Sequence, residues 1–348
     1  MAHGIFNKKR DFQVAEVQAW HGLTRIAKPT REHFPEIVPV PLFIGEDCTP
    51  CVYGDRRFVI PVSTDDGLPV APPYCGETIA SEEEAGCEAK ADTRGTYSLF
   101  TPREAWDWIA EVLGGTHYTV QSIGMLWNRS FWFASVHLDE LAEMSVGDGR
   151  KSGFQFNFSG GLDRSVSPQC ELSNIVAVCH NTISLSRLTG KVLFQERATK
   201  GFKTRLDAAK AEVEKAVGMA AVFKAAMDNL AEQPCDRTRA ERIFAGYLGA
   251  DSDKLSTRTR NTVKELGELH VRGLGNTGKT EFDAVNAYTQ LLTRGGAESK
   301  VPAGRRFASG EFGSNADAKA DFVRFMTSEE TDFANVEAHG ETLLALKN

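Results

Sequence analysis

A glycine-rich stretch near the C-terminus sets the first constraint on the fold, because it matches the phosphate-binding loop of nucleotide-hydrolysing α/β proteins. Gly273, Gly278, Lys279 and Thr280 have the spacing G-x4-G-K-T. In such loops backbone N–H groups surround the phosphates, the lysine reaches the outer phosphates and the hydroxyl holds magnesium. The motif has this function only where a buried strand precedes it and a helix follows it.

The residues around this stretch do not supply that context. Lys264–Arg272, KELGELHVR, is typical of the end of a helix, and Gly273 is expected as the glycine that ends it. A helix is predicted from Thr280 to about Leu292, with Thr280 as its N-cap. The residues that follow are too few for the further βα units of a nucleotide-binding sheet. We therefore interpret the stretch as a turn between two helices and keep an NTPase that uses Gly273–Thr280 as an alternative.

Composition and charge indicate a soluble protein of a reducing compartment. The chain has 348 residues, of which 41% are hydrophobic and 25% charged. No run approaches the roughly 18 apolar residues that a membrane helix needs, so no membrane partner is expected. The N-terminal MAHGIFNKKRD lacks the apolar region of a signal peptide. Seven scattered cysteines do not suggest a secreted disulfide framework, and we expect a cytoplasmic protein.

Residues 1–95 are predicted to form an irregular N-terminal arm with a cysteine-containing insertion. Trp20 and His21 are interpreted as a buried anchor of the arm rather than as a ligand-stacking pair. In the insertion Phe58–Val62 is the one predicted strand, and Pro61 would place it at a sheet edge. Four thiolates could bind Zn²⁺ tetrahedrally, with free thiols in a loop as the alternative, and no other cofactor is expected. These cysteines are Cys48, Cys51, Cys75 and Cys87.

Residues 96–272 are predicted to form an α+β core, in which helices cover an antiparallel sheet from about residue 97 to 172. Thr101-Pro102-x-Glu104 opens a helix with a capping box and a proline in its first turn. This helix should run to about Leu113. Tyr118–Leu126 and Ser130–Leu138 then predict a hairpin, although its turn lacks the usual glycine.

Alternating phenylalanines follow the predicted hairpin. In Phe154–Phe158, FQFNF, the aromatic positions are interpreted as core, with a base-stacking platform as the alternative. Asn174–Leu188 is predicted to be a helix across the sheet. It contains Cys179-His180-Asn181, the residue types of a cysteine-protease triad. Adjacent residues on a helix point about 100° apart, so catalysis at these residues is excluded.

The C-terminal half is predicted to be helical, and residues 273–348 form a C-terminal helical segment and tail. Lys203–Ala231 has the apolar spacing of one long amphipathic helix. Residues 295–315 are rich in Gly, Ala and Ser and are interpreted as a linker, and the residues after the last predicted helix as a mobile tail. Further helices are predicted at Arg239–Leu248, Ser256–Val271 and Ala316–Met326.

Positive charge is concentrated in one part of an acidic chain. The formal net charge is −7, yet residues 181–280 carry 18 basic and 12 acidic side chains. Such a segment predicts one face for an anionic partner, and the alternative is a set of solvated helix faces. Arg129, at the tip of the predicted hairpin, is a possible edge of this nucleic-acid surface. The other cations expected to line it are Arg187, Lys191, Arg197, Lys200, Lys203 and Arg205.

Three stretches resemble one protein family. Trp20–Leu23 is similar to its N-terminal WHGLG signature, and Val178–Thr182 is similar to its VCxNT segment. Gly273–Thr280, followed by Asn286-Ala287-x-Thr289, resembles its C-terminal GxGNxGxT…NAxT block, although Thr24 stands where the first signature has a glycine. The chain is thereby identified as a member of the phage/plasmid-like proteins that contain domain of unknown function 932. This resemblance implies a mobile-element origin, a bacterial host cell and no settled activity.

The leading hypothesis is a nucleic-acid-binding protein of phage or plasmid replication and recombination. The order helix, antiparallel strands, helix, long helix is similar in outline to that of single-strand annealing recombinases, which assemble as rings or filaments. Single-stranded DNA binding or annealing and a homo-oligomer are therefore expected, with Trp127 and Trp132 as aromatic contacts. A factor that binds a host protein is the first alternative. An enzyme, either an NTPase or a metal-dependent hydrolase, is the less favoured one.

Overall fold

The structure is a computed structural model. Helices dominate after Arg237 and strands dominate before it, and the main sheet is mostly antiparallel, which confirms the predicted α+β class. No helix in the described part of the chain is both long and apolar enough to cross a membrane. The described residues are 10–16, 23–41, 43–44, 49–50, 52–53, 56–71, 74–78, 99–113, 117–138, 144–146, 150–176, 181–184, 187, 194–195, 220, 222–295 and 300–346.

The chain divides into two compact units, and neither is one continuous segment. Unit 1 comprises residues 1–138, 156–171 and 192–214. Unit 2 comprises residues 139–155, 172–191 and 215–348.

Three sheets are formed by the described strands. The large sheet has the order β14-β13-β12-β10-β9-β1-β2, with β11 beside β12 and β15 beside β13, and smaller sheets have the orders β3-β7-β6, with β8 beside β7, and β4-β5. Among the pairings with a described register, β1 with β2 is parallel and the others are antiparallel. The strands are β1 (Phe12–Ala15), β2 (Thr24–Ile26), β3 (Ile37–Pro41), β4 (Phe43–Ile44), β5 (Thr49–Pro50), β6 (Val52–Tyr53), β7 (Arg56–Ser63), β8 (Tyr74–Thr78), β9 (Tyr118–Leu126), β10 (Phe131–Leu138), β11 (Met144–Val146), β12 (Arg150–Gly161), β13 (Gln169–Val176), β14 (Asn181–Ser184) and β15 (Phe194–Gln195).

The N-terminal region contains more regular structure than its sequence predicts. Residues 1–95 were expected to be irregular apart from the strand Phe58–Val62, yet β1 to β8 lie there, and Phe12 and Val14 are buried in β1. Pro61 was expected at a sheet edge, but β7 has neighbours on both sides. Pro61 pairs with Pro39, and its carbonyl accepts the N–H of Val70 at 2.9 Å. A proline fits there because its carbonyl is still an acceptor and no partner needs its missing N–H.

The core of unit 1 lies between helix α1 (Pro102–Leu113) and the sheet. The predicted capping box is confirmed, since Thr101 N–H donates to Glu104 Oε2 at 2.9 Å and Glu104 N–H donates to Thr101 Oγ1 at 3.2 Å. Trp108 of α1 packs edge-on against Phe158, with ring centroids 5.5 Å apart. Phe158 is completely buried, so the phenylalanine stripe is core and not an exposed stacking platform. The predicted hairpin is β9 and β10.

Unit 2 is largely helical. The helices predicted at Arg239–Leu248, Ser256–Val271, Thr280–Leu292 and Ala316–Met326 are confirmed. Of the predicted long helix Lys203–Ala231, the structure describes only residues 220 and 222–231, and these are helical. Two predictions were wrong, because the expected linker 295–315 contains α5 and the expected mobile tail contains α7. Their small residues are buried: Gly304, Ala308 and Gly310 in α5, and Gly340 in α7, where a side chain would meet Arg242 of α2. The helices are α2 (Arg237–Leu248), α3 (Thr257–Arg272), α4 (Glu281–Arg294), α5 (Ala303–Phe312), α6 (Ser314–Thr327) and α7 (Phe333–Ala345).

The helix predicted over Asn174–Leu188 was also wrong. Residues 174–176 and 181–184 belong to the antiparallel strands β13 and β14, with Asn174 opposite Ile183, and of the described residues in this segment only Arg187 is helical. The segment is rich in β-branched residues, whose side chains lose rotamer freedom in a helix and suit a pleated sheet. Cys179 and His180 lie outside the described residues, and so do Trp20 and His21.

Candidate functional site

The glycine-rich stretch Gly273–Thr280 is a turn that joins α3 to α4, as predicted. Gly273 ends α3, and its N–H donates to Leu269 O at 2.7 Å. Gly275 and Gly278 have positive φ angles of 79° and 73°, which glycine adopts without strain. The segment that enters the turn is helical, whereas a phosphate-binding loop follows a strand.

The donors of this turn converge on Asp283, in the first turn of α4. Asp283 is fully buried. Its Oδ1 accepts the N–H of Thr277 at 3.1 Å. Its Oδ2 accepts the N–H groups of Lys279 at 3.0 Å and Thr280 at 3.1 Å, and the hydroxyls of Thr277 at 2.7 Å and Thr280 at 3.1 Å. Backbone N–H groups and hydroxyls of the turn thus hold a carboxylate of the same chain, in the way that such groups hold a phosphate in a nucleotide-binding loop.

Amide side chains complete the turn. Asn276 Nδ2 donates to Leu269 O at 2.8 Å, and Asn286 Nδ2 donates to Leu274 O at 3.0 Å and to Asn276 Oδ1 at 2.6 Å. Gln290 Oε1 accepts the N–H of Leu274 at 2.9 Å. The asparagines, glycines and threonine that resemble the family's C-terminal block therefore build the turn.

A buried histidine lies beneath this turn. His270 of α3 has no exposed surface, and its Nε2 lies 3.3 Å from Thr280 O. Its Nδ1 has no hydrogen-bond partner within the part of the chain that the structure describes. Burial lowers the pKa of His270, although the Thr280 carbonyl and the nearby carboxylates, Asp283 first among them, oppose the shift. The imidazole is therefore neutral at pH 7 and acts as part of the core.

The outer side of α3 carries cations without ion pairs in the described residues. Arg258, Lys264 and Arg272 occupy a sector of about 120° on the helix, opposite the buried Val263 and His270. Glu265 and Glu268 lie in the same sector, and Glu268 Oε1 is engaged by Arg237 at 2.8 Å. The name "basic surface" is used below for five exposed cations: Lys254, Arg258, Lys264, Arg272 and Lys279.

Apolar side chains are exposed at the turn end of this basic surface. Val271 and Leu274 are 39% and 42% exposed, beside Arg272 and Lys279. All five residues of the basic surface lie within residues 181–280, the segment with the positive charge balance, but they are not among the cations predicted from the sequence. The exposed face of α3 could have been found by projecting Ser256–Val271 onto a helix.

The predicted nucleic-acid surface lies mostly outside the described side chains. Lys191, Arg197, Lys200, Lys203 and Arg205 are not among the described residues, so their role stays a prediction. Arg187 is described: its guanidinium pairs with Asp317 of α6 and donates to Phe312 O at 3.4 Å. Arg324 in turn donates to the Arg187 carbonyl at 2.9 Å.

Arg129 is not on an open edge. It is 7% exposed in the turn between β9 and β10, and its Nη1 donates to Ser63 Oγ at 2.9 Å and to Asp65 Oδ2 at 3.3 Å. Its Nε donates to Arg10 O at 3.2 Å. These contacts tie the hairpin turn to residues 63–66 and use most of its donors, although its part in nucleic-acid binding is still a prediction.

The predicted zinc ligands are not described as a site. Cys48, Cys51 and Cys87 and the side chain of Cys75 lie outside the described residues, and zinc binding by them stays a prediction. Within the described residues no group of three or more His, Cys, Asp or Glu side chains could hold a metal ion. Cys235 is buried, and burial raises the pKa of its thiol to about 12, so it is not a nucleophile at neutral pH.

Comparison with known proteins gives the family and nothing finer. No curated protein and no solved structure matches the chain. The model of one family, described as a domain of unknown function, DUF932, matches residues 93–328. This span includes α1, the strands from β9 to β15, the glycine-rich turn and α6, and it is more than half of the chain. The chain therefore belongs to the DUF932 family.

Proposed function

We propose that this protein binds single-stranded nucleic acid and serves the replication or recombination of a phage or plasmid in a bacterial cell. The observation that carries the proposal is the basic surface. Its five cations are exposed, and none forms an ion pair within the described residues. By contrast, Arg237, Arg239 and Arg242 of the neighbouring helix α2 are each paired with a glutamate.

Unpaired cations on one side of a helix suit a phosphate backbone. Arg258 and Arg272 are separated by about 21 Å along α3, so an extended strand could contact several of these side chains at once. Each contact releases counterions from the nucleic acid, which favours binding at low salt. The exposed Val271 and Leu274 add apolar surface beside Arg272 and Lys279, where unstacked bases could pack.

The segment 187–205 is a second part of the same proposal. Its cations follow the sheet in the sequence and lie in the same basic quarter of the chain. Replacing Lys191, Lys200 and Lys203 together by alanine should flatten the dependence of log K on log salt by roughly two units, since each single-strand phosphate contact contributes about 0.7. Unchanged slopes would assign these lysines to pairing with acids of this chain or of a neighbouring subunit.

Fluorescence anisotropy of a labelled single strand, titrated with the full chain at several salt concentrations, tests the basic surface. The double variant R272A/K279A should bind more weakly and lower the salt slope by about 1.4. The matched control is K300A/R305A, which removes two exposed cations outside the basic surface. Equal slopes for the two variants would remove the basic surface from the binding site.

Retention of the wild-type protein on a single-stranded DNA column tests the proposal as a whole. At about 50 mM salt the electrostatic contribution is strong, so the protein should be retained on a single-stranded DNA column. Passage through the column would end the proposal and favour the alternative of a factor that binds a host protein. Annealing of complementary strands and sedimentation with and without DNA would then test the finer proposals of annealing and a homo-oligomer.

A further inference from the structure

The turn between β9 and β10 has an unusual backbone. Trp127, Asn128 and Arg129 have φ angles of 53°, 63° and 67°, and none of them is glycine. L-residues rarely occupy this left-handed region, and then usually one at a time. Three in succession persist only where surrounding contacts fix them, and such sites are often functional.

The contact that fixes this turn is a buried carboxyl group. Asp11, immediately before β1, is 4% exposed, and its Oδ1 accepts the N–H of Asn128 at 2.7 Å. Among the described residues, its Oδ2 has no hydrogen-bond partner. The N–H groups of Trp127 and Arg129 also face the carboxyl group and stabilise its charge. One buried oxygen is nevertheless left without a donor, which disfavours the ionised form.

Two arginines flank Asp11, yet both are engaged elsewhere. Arg10 bonds Asp66 Oδ2 at 2.9 Å, Pro69 O at 3.1 Å and Asn128 Oδ1 at 3.0 Å. Arg129 bonds Ser63 Oγ at 2.9 Å and Asp65 Oδ2 at 3.3 Å. The charged groups around Asp11 in the described residues are Arg10, Arg129, Asp65, Asp66 and Arg25, the last stacked on the Phe12 ring.

We propose that a proton on Asp11 Oδ2 closes the left-handed turn, which makes this end of the hairpin a pH-dependent latch on residues 63–69. The neutral acid keeps Oδ1 as the acceptor for Asn128 and relieves the unpartnered charge on Oδ2. When the proton leaves, the buried carboxylate favours an open turn in which water reaches it. Opening also weakens the hydrogen bonds and ion pairs that Arg10 and Arg129 form with Asp65, Asp66 and the Pro69 carbonyl.

The direction of the pH effect follows from linkage. Burial raises the pKa of Asp11 from 3.8 to about 6, although the three N–H groups and Arg10 oppose the shift. In an open turn the carboxyl group would return towards its ordinary pKa. The closed turn is therefore favoured at low pH, and this preference is lost as the pH rises through about 6. Burial also raises the pKa of Asp66, but the Leu68 N–H and Arg10 outweigh it, so Asp66 titrates below its ordinary range.

Hydrogen exchange of the full chain tests the latch. The peptide that contains Trp127–Ser130 is followed by mass spectrometry at pH 5 and pH 7, with correction for the intrinsic pH dependence of exchange. Protection in the wild type should fall about tenfold between these values. In D11N, which cannot ionise but keeps an acceptor oxygen for Asn128, protection should be equal at both. The control D163N, in a partly exposed turn, should keep the tenfold change.

Two results would overturn the latch: equal wild-type protection at pH 5 and pH 7, or a tenfold change that survives in D11N. A second measurement covers the case in which D11N does not fold. The ¹³C resonance of the Asp11 carboxyl group in the wild-type protein should titrate with a midpoint of about 6. A midpoint near the ordinary 3.8 would contradict the proposal.

Discussion

Asp283 and Thr280 bond each other through both main chain and side chain across the first turn of α4. Thr280 donates its N–H and its hydroxyl to Asp283 Oδ2, each at 3.1 Å, and Asp283 N–H lies 3.3 Å from Thr280 Oγ1. This reciprocal cap also draws Thr277 and Lys279 onto the same carboxylate. The motif that resembles a phosphate-binding loop is thus closed by a carboxylate of its own chain.

Removal of this carboxylate should destabilise unit 2. D283A leaves three backbone N–H groups and two hydroxyls without their acceptor, and we expect a loss of about 3 kcal/mol in the free energy of unfolding, measured by urea denaturation. D283N keeps one good acceptor and should lose less. The control D332A removes a cap that accepts one N–H of α7 and should cost about 1 kcal/mol. Equal losses in D283A and D332A would contradict the central role of Asp283.

Nucleotide should not bind at the glycine-rich turn. The N–H groups of Thr277, Lys279 and Thr280 already bond a buried carboxylate, and a phosphate would have to displace it. Thermal unfolding with millimolar Mg-ATP should therefore give an unchanged Tm, and ATP turnover should be absent with and without DNA. A Tm increase that disappears in K279A would restore the NTPase alternative.

The buried His270 should make stability fall in mild acid. Its folded-state pKa lies below the ordinary 6.5, so its contribution is present above about pH 6.5 and is lost as the pH falls towards the folded value. Between pH 7.5 and pH 5.5 the wild type should lose stability relative to H270Q, which cannot protonate. The control H339Q changes a histidine that also faces a backbone carbonyl, Gly249 O at 3.1 Å, and is partly exposed. If H339Q abolishes the pH effect and H270Q does not, the assignment to His270 is wrong.

The same substitution should have opposite effects at two glycines. A Cβ on Gly124 of β9 would lie 2.3 Å from Phe12 O and 2.6 Å from Phe133 Cζ, so G124A should cost about 2–3 kcal/mol. A Cβ on Gly310 of α5 would lie 3.5 Å from its nearest neighbour, and alanine has the higher helix propensity. G310A should therefore stabilise the protein by about 0.5–1 kcal/mol. Urea midpoints that move in the same direction would refute the packing argument.

The sequence was sufficient to locate a helix or strand where residues close together in the chain specify it. The capping box Thr101–Glu104 located α1, period-two alternation located β9 and β10, and helical periodicity located α3 and α4 to within one or two residues at most ends. The rejection of a strand before Gly273 was also local, because KELGELHVR carries helix periodicity. The family was likewise identified from short local motifs, of which the C-terminal one builds the turn between α3 and α4.

Long-range contacts decided the features that sequence analysis missed. Asn174–Leu188 has apolar residues that fit either a helix or a strand, and pairing between Asn174–Val176 and Asn181–Ile183 selected strands there. The small residues of α5 were interpreted as a linker. Glycine and alanine occur both in linkers and in closely packed helices, and only the neighbouring residues in the fold distinguish the two. The spacing T-x-x-D could have identified Asp283 as a partner of the helix cap. It accepts hydrogen bonds from the whole turn, however, only because Gly275 and Gly278 adopt positive φ angles.

The sequence by itself determined the α+β class, most helices of the C-terminal half, the family and the quarter of the chain where positive charge is concentrated. Tertiary structure alone decided which cations in the described residues have no ion pair there. Arg129 and Arg187 are bonded to Asp65 and Asp317, respectively, whereas Arg272 and Lys279 remain exposed. The physical reason is that a charge is available to a partner only if folding brings no opposite charge to it. Residues 64 positions apart, such as Arg129 and Asp65, meet only in the folded chain.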